Sequence, residues 1–159
     1  MSGPVVALPR LLAELEPARA RGARVVLTNG VFDLLHVGHL RYLRQARKEG
    51  DLLVVGVNSD RSVARLKPGR PLVPAAERAE LVAALAPVDF GVIFDEPTAE
   101  RLVATIRPAV YAKGGDYGQK PDRLPEAARA REVGARLVLL PLVPDHSTTA
   151  LLRRLSTND

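Results

Sequence analysis

Only three histidines occur in 159 residues, and two of them, His36 and His39, stand three positions apart in GVFDLLHVGH (residues 30–39) with Gly38 between them. The stretch follows an apolar run and opens a segment with helical spacing, so Gly38 falls where the free N–H groups and dipole of a helix start favour an anion. Gly30, directly after the apolar run, suits a close backbone turn. Imidazoles facing such an anion could donate to an oxyanion or a phosphate, chemistry that rests on positioning and on neutralising charge. The same pair could instead hold a metal, but no third protein ligand has an evident place. Packing in the core as structural histidines is the remaining alternative.

Three further stretches carry groups of use to such a site. Lys113 is followed by Gly114 and Gly115, a compact cation beside backbone free to approach a ligand, and Asp116 could face a sugar hydroxyl or a base. Ser147-Thr148-Thr149 stand ahead of the apolar-periodic ALLRRL. Ser147 alone would serve as an N-cap; two following threonines, poor helix formers, favour a second helix start offering N–H groups and hydroxyls to phosphate. Lys67, in the Pro/Gly-rich LKPGRPLVP, and Arg78, in AAER, are suited to closing over phosphates, although ERAELVAAL also reads as an ordinary amphipathic helix with Arg78 on its solvated face.

Positioning these groups falls to five short apolar runs, residues 24–27, 52–57, 88–94, 109–111 and 136–140, rich in Val, Ile and Leu without clean alternation. That pattern predicts parallel strands covered on both faces. Helical stripes lie between them: Leu40, Leu43 and Ala46; Leu81, Val82 and Leu85; Leu102, Val103 and Ile106. The alternation predicts an α/β fold, a Rossmann-like open sheet of about five parallel strands with helices on both faces. The segments after the strands, residues 28–30, 58–60, 95–98, 113–116 and 145–149, then converge on the carboxyl edge, where such sheets bind ligands. Ser59, Thr98 and Ser147 are the expected N-caps.

Composition bounds the rest. A chain of this length with 47% hydrophobic residues is expected to form a single domain over 1–159. With no cysteine, disulfides, thiolate zinc sites and cysteine nucleophiles are excluded, and a cytoplasmic setting is expected. Glu14, Glu16 and Pro17 interrupt the N-terminal apolar residues, so neither a leader nor a membrane span is indicated. The net charge of +5 arises within residues 1–80, which hold the histidine pair. An anionic small molecule or solvated arginine-rich helix faces account for it better than nucleic acid, because three Phe, three Tyr and no Trp leave few stacking aromatics. No acidic cluster suits a wholly protein-held cation, so Mg²⁺ is expected to arrive with a nucleotide and no metal-ligating residue is assigned.

TNGVFDLLHVGH (28–39) resembles the signature of the nucleotidyltransferase superfamily, whose members carry a His-x-Gly-His element after the first strand; Gly30, Phe32 and Asp33 resemble its cytidylyltransferase-like branch. NSDRSVARLKPGRPLVPAAER (58–78), KGGDY (113–117) and HSTTALL (146–152) resemble, in order and spacing, the adenylyltransferase domains of ADP-heptose synthases. That family commonly has cysteine where Val31 stands and proline where Val37 stands; neither position supplies chemistry.

The resemblance implies coupling of ATP to D-glycero-β-D-manno-heptose 1-phosphate, with pyrophosphate leaving. It implies that His36, His39 and Lys113 are catalytic. Thr28 would lie near the α-phosphate, and Asn29, Gly30, Phe32, Gly38, Lys67, Arg78, Ser147, Thr148 and Thr149 would bind the nucleotide. Asp33, Asn58, Gly114, Gly115 and Asp116 would face the acceptor. A homodimer is expected, as is a separate sugar kinase, since many relatives carry a kinase domain ahead of this one. The alternatives are a sister enzyme such as a glycerol-3-phosphate cytidylyltransferase, and a non-catalytic nucleotide-sensing or nucleic-acid-binding module on the same fold.

Overall fold

The structure, a computed structural model, describes residues 3–115, 123–141 and 143–157. Five strands, β1 (Val25–Gly30), β2 (Leu52–Asn58), β3 (Phe90–Phe94), β4 (Val110–Gly114) and β5 (Arg136–Leu140), form one parallel sheet in the order β3-β2-β1-β4-β5. The helices are α1 (Leu8–Ala20), α2 (Val37–Lys48), α3 (Asp60–Leu66), α4 (Ala75–Ala83), α5 (Glu100–Ile106), α6 (Ala127–Glu132) and α7 (Thr148–Ser156).

Successive residues of β1 serve opposite faces. Val25 and Leu27 join Leu11 and Leu15 of α1, Leu102, Val103 and Ile106 of α5, and Ala130 of α6. Val26 turns the other way, into a cluster with Leu43 and Ala46 of α2 and Ala79 and Val82 of α4. The expected two-faced sheet is therefore present, with one correction to the stripes. Leu81 is 54% exposed, and α4 instead buries Ala75, Arg78, Ala79, Val82 and Ala83. Helix α1 was not anticipated.

The strands reach further than their apolar runs. The parallel ladder pairs Thr28, Asn29 and Gly30 with Val55, Gly56 and Val57, and carries Lys113 and Gly114 alongside Leu139 and Leu140. Residues expected in loops are thus held rigidly at strand ends, because the ladder is made by backbone groups and does not stop where side chains turn polar. Ser59 and Ser147 cap α3 and α7, accepting from the N–H groups of Ser62 and Ala150. Thr98 does not cap: its hydroxyl donates to Glu100, and the N-cap position of α5 is Ala99.

Strand order reverses between β1 and β4. From β1 the chain winds outward through β2 to β3, and the remaining strands lie on the other side. The crevice between the carboxyl ends of β1 and β4 is the switch point at which open α/β sheets take ligands.

Candidate active site

Helix α2 starts at the mouth of that crevice with His36 as its N-cap residue. The backbone N–H of His36 donates to His39 Nδ1 at 3.3 Å, and the His39 N–H donates back to the His36 carbonyl at 3.0 Å. An imidazole whose Nδ1 accepts carries its neutral-state proton on Nε2, which leaves Nε2–H as a donor. The two rings stack with centroids 3.8 Å apart, and the Phe32 ring tilts against His39 at 5.3 Å. Burial, reinforced by the charge of His36, lowers the His39 pKa to about 4. Burial and then the charge of His146 lower that of His36 as well. Both rings are neutral donors near pH 7. Among the described residues, His36 Nδ1 is buried without a hydrogen-bond partner.

Two glycines make this crowding feasible. A Cβ on Gly38 would sit 2.8 Å from His36 Cε1 and Nδ1 and 3.0 Å from His146 Cβ. A Cβ on Gly30 would meet the Phe32 ring at 3.0 Å, and Phe32 itself adopts a left-handed backbone, φ 53°, to turn that ring over the strand end.

Across the crevice, Lys113 Nζ donates to the Asn29 carbonyl at 3.4 Å. Burial draws the lysine's pKa below the ordinary lysine range, and the Glu126 carboxylate opposes the shift. Asn29 is fixed in turn, its Oδ1 accepting from the Tyr111 hydroxyl at 2.5 Å.

The cleft has two lobes. The first, about 340 Å³, is lined by His36, Gly38, His146, Ser147 and Thr149 among others. The second, about 630 Å³, is lined by Asp33, Asn58, Arg70, Thr98 and Glu126 among others. Gly30, Phe32, His39, Lys67, Lys113, Gly114 and Thr148 face both lobes and so mark their junction. Thr148 also ties α7 to the loop before α2, donating to the Leu34 carbonyl at 3.3 Å.

Other expected site residues are spoken for elsewhere. Arg78 is fully buried, neither solvated nor lining the cleft. Its guanidinium donates to the carbonyls of Val73 at 2.7 Å, Val31 at 2.6 Å and Asn58 at 2.8 Å, and to Asp60 Oδ1 at 2.8 Å. It braces the strand ends of the site rather than closing over phosphates. Thr28 is also fully buried and away from the cleft, its hydroxyl bonded to that of Tyr42. Asp33 accepts from Arg70 Nε at 2.5 Å and from the N–H groups of Leu72 and Val73 at 2.9 Å. It therefore pins the Pro/Gly-rich loop that presents Lys67. Although burial works against its charge, those N–H groups and Arg70 hold its carboxyl below the usual range. Asn58 donates to the Ser62 hydroxyl at 2.9 Å. Gly115, with φ 146°, is half-buried beyond β4. Asp116 lies outside the described residues.

Sequence reasoning missed Tyr42, Arg70 and Glu126 at the cleft, and it placed His146 on the ligand-binding edge, within residues 145–149, without giving it a role. Glu126 is buried and accepts the Ala99 N–H at 2.9 Å. The rarity of histidine is a signal that could have given His146 a role.

Comparison with known proteins gives a consistent picture. A family model described as cytidylyltransferase-like matches residues 27–154. The chain is 50% identical over 151 residues to "Bifunctional protein HldE" of Geotalea uraniireducens, covering 94% of this chain and 30% of that protein. The protein of the same name from Syntrophotalea carbinolica is 49% identical over 142 residues, covering 89% of this chain and 29% of the relative. The chain thus spans about a third of the length of these curated relatives. Among solved structures, a lipopolysaccharide core biosynthesis protein from Thermoplasma volcanium superposes with a TM-score of 0.63 at 30% identity, over 77% of this chain and 98% of that one. Pantothenate synthetase from Thermus thermophilus superposes with a TM-score of 0.63 at 20% identity, over 88% of this chain and 62% of that one, which shows the shared fold alone.

Proposed function

The chain belongs to the cytidylyltransferase-like family and is a nucleotidyltransferase, and we propose that it joins ATP to D-glycero-β-D-manno-heptose 1-phosphate, releasing ADP-heptose and pyrophosphate. The observation that carries this reading is the meeting of His39 and Lys113 at the junction of two lobes, at the switch point between β1 and β4. Similarity to the HldE relatives supports the choice of base and acceptor.

In the proposed reaction an oxygen of the sugar phosphate attacks the α-phosphorus of ATP. The new O–P bond forms as the bond to the β-phosphate oxygen breaks, and pyrophosphate departs with the electron pair. In-line displacement requires acceptor and leaving group on opposite sides of the α-phosphate. The second lobe, with its polar Asn58, Thr98 and Glu126, suits a polyhydroxylated acceptor. The first lobe, with two helix starts, suits the departing pyrophosphate.

His39 then donates through Nε2–H to an α-phosphate oxygen, and His36 supports it from the stacked ring. Lys113 supplies a fixed positive charge from the opposite strand. Among the described residues two buried carboxylates line the cleft, Asp33 and Glu126, and Arg70 and backbone N–H groups already occupy them. Mg²⁺ would then be bound through triphosphate oxygens and water, where the ion would neutralise phosphate charge. The acceptor must itself come from a reaction that phosphorylates a heptose at its anomeric carbon.

Pyrophosphate release across ATP and CTP, each paired with heptose 1-phosphate and glycerol 3-phosphate, tests the assignment. Turnover is expected with ATP and the heptose phosphate. Turnover confined to CTP with glycerol 3-phosphate overturns it in favour of the sister reaction.

A further inference from the structure

All three histidines of the chain line the first lobe of the cleft, although the third comes from a turn more than a hundred residues downstream of the other two. His146 stands directly before the N-cap of α7, and its Cβ lies 3.0 Å from where a Gly38 side chain would begin. The His36 ring approaches the same point at 2.8 Å. Gly38 is therefore approached by histidines from two different elements, by the ring of His36 and the Cβ of His146, and both line the same lobe. The roles of the three differ. His39 faces both lobes and its Nδ1 is engaged; His36 is half-buried; His146 is exposed, and among the described residues its ring makes no hydrogen bond. His146 faces the first lobe and not the second.

We propose that His146 is a third phosphate-binding histidine, which contacts the pyrophosphate portion of the nucleotide and stabilises it as it leaves. The inference rests on the nucleotidyl-transfer reading above, because in-line geometry sends the leaving group to the lobe remote from the acceptor, where His146 stands. An exposed imidazole at the lip is free to turn toward an anion, and Ser147 and Thr149 beside it line the same lobe. That the charge of His146 disfavours protonation of His36 is a further sign that both rings look onto one space.

Calorimetric titration with magnesium pyrophosphate, compared between the natural protein and the His146→Ala and His146→Gln variants, tests this without requiring turnover. His146→Ala is expected to weaken pyrophosphate binding about tenfold or more, the scale of one hydrogen bond to a charged group. His146→Gln, which keeps a donor, is expected to recover part of the loss. In the reverse reaction, the KM for pyrophosphate rises in His146→Ala while the KM for the nucleotide sugar stays within about twofold, a split that general loosening of α7 would not produce. Equal pyrophosphate affinity in all three proteins overturns the proposal. Failure of the natural protein to turn over any nucleotide, with the affinity difference intact, would instead remove the catalytic reading and leave the site.

Discussion

The imidazoles of His36 and His39 lie 3.8 Å apart, centroid to centroid, with 26° between their planes. Two stacked neutral rings are compatible with that spacing, and a proton on either is disfavoured first by burial and then by a nearby charge, that of His36 for His39 and that of His146 for His36. The pair is built to donate hydrogen bonds while uncharged, so its role should not require an imidazolium at neutral pH.

Removing the donor at the lobe junction should act on turnover. His39→Ala is expected to lower kcat by about a hundredfold or more, the scale of losing one hydrogen bond aimed at developing charge. Steady-state assays with both substrates saturating measure this; near-normal kcat would contradict the assigned role.

Stability should depend on the same ring. The folded-state pKa of His39, about 4, lies below the unfolded value of 6.5. Between these values the unfolded chain binds the proton and the folded chain does not, so stability is full above about pH 6.5 and falls as the pH drops toward 4. Urea unfolding midpoints across this window should decline on acidification, and His39→Asn should flatten the decline. Asp33, with its lowered pKa, loses its contribution only at more acid pH.

Gly38→Ala separates packing from catalysis. The added methyl meets the movable His36 ring at 2.8 Å, and alanine is at least as good a helix former as glycine. Thermal and urea unfolding should therefore change by no more than about 1 kcal/mol, while displacement of His36 lowers kcat by about tenfold or more. A loss of stability with unchanged turnover would reverse this interpretation.

Arg78→Met should do the opposite. The guanidinium satisfies the buried carbonyls of Val31, Asn58 and Val73, and its loss strands them. A destabilisation of about 3 kcal/mol or more is expected, in the range for breaking a buried charged network. Equilibrium denaturation reads it directly; a variant as stable as the natural protein would refute the bracing role.

Lys113 should impose an alkaline limit. Because burial lowers its pKa, the cation is lost at a pH below the 10.5 of an ordinary lysine. The pH profile of kcat/KM is expected to fall on that side. Lys113→Met, measured at higher enzyme concentration, should lack the limb and show a lower plateau; an unchanged alkaline limb in the variant would assign it to another group.

Much of this arrangement was legible because its signals are local. His36, Gly38 and His39 announce themselves by spacing beside a strand end, and Lys113 by its glycines. What escaped depends on partners without sequence identity of their own. Arg78 reads in the sequence as a phosphate-binding or a solvated arginine because its acceptors are mainly backbone carbonyls of Val31, Asn58 and Val73, brought together only by the fold. Thr28 faces Tyr42 for the same reason, since side chains fourteen residues apart meet across a helix and a strand. The apolar runs stopped short at Thr28 and Lys113, whereas the backbone ladder does not. Helix α1 was hidden by Pro9 and Pro17, although Leu11 and Leu15, four apart, are fully buried.

The most direct test follows heavy oxygen from the acceptor. Heptose 1-phosphate labelled in its non-bridging phosphate oxygens is incubated with ATP and the products are read by phosphorus NMR. Attack on the α-phosphorus predicts ADP-heptose with label in the bridge between its two phosphorus atoms and pyrophosphate free of label. Labelled pyrophosphate, or ATP left unconsumed beside the acceptor, would contradict the account.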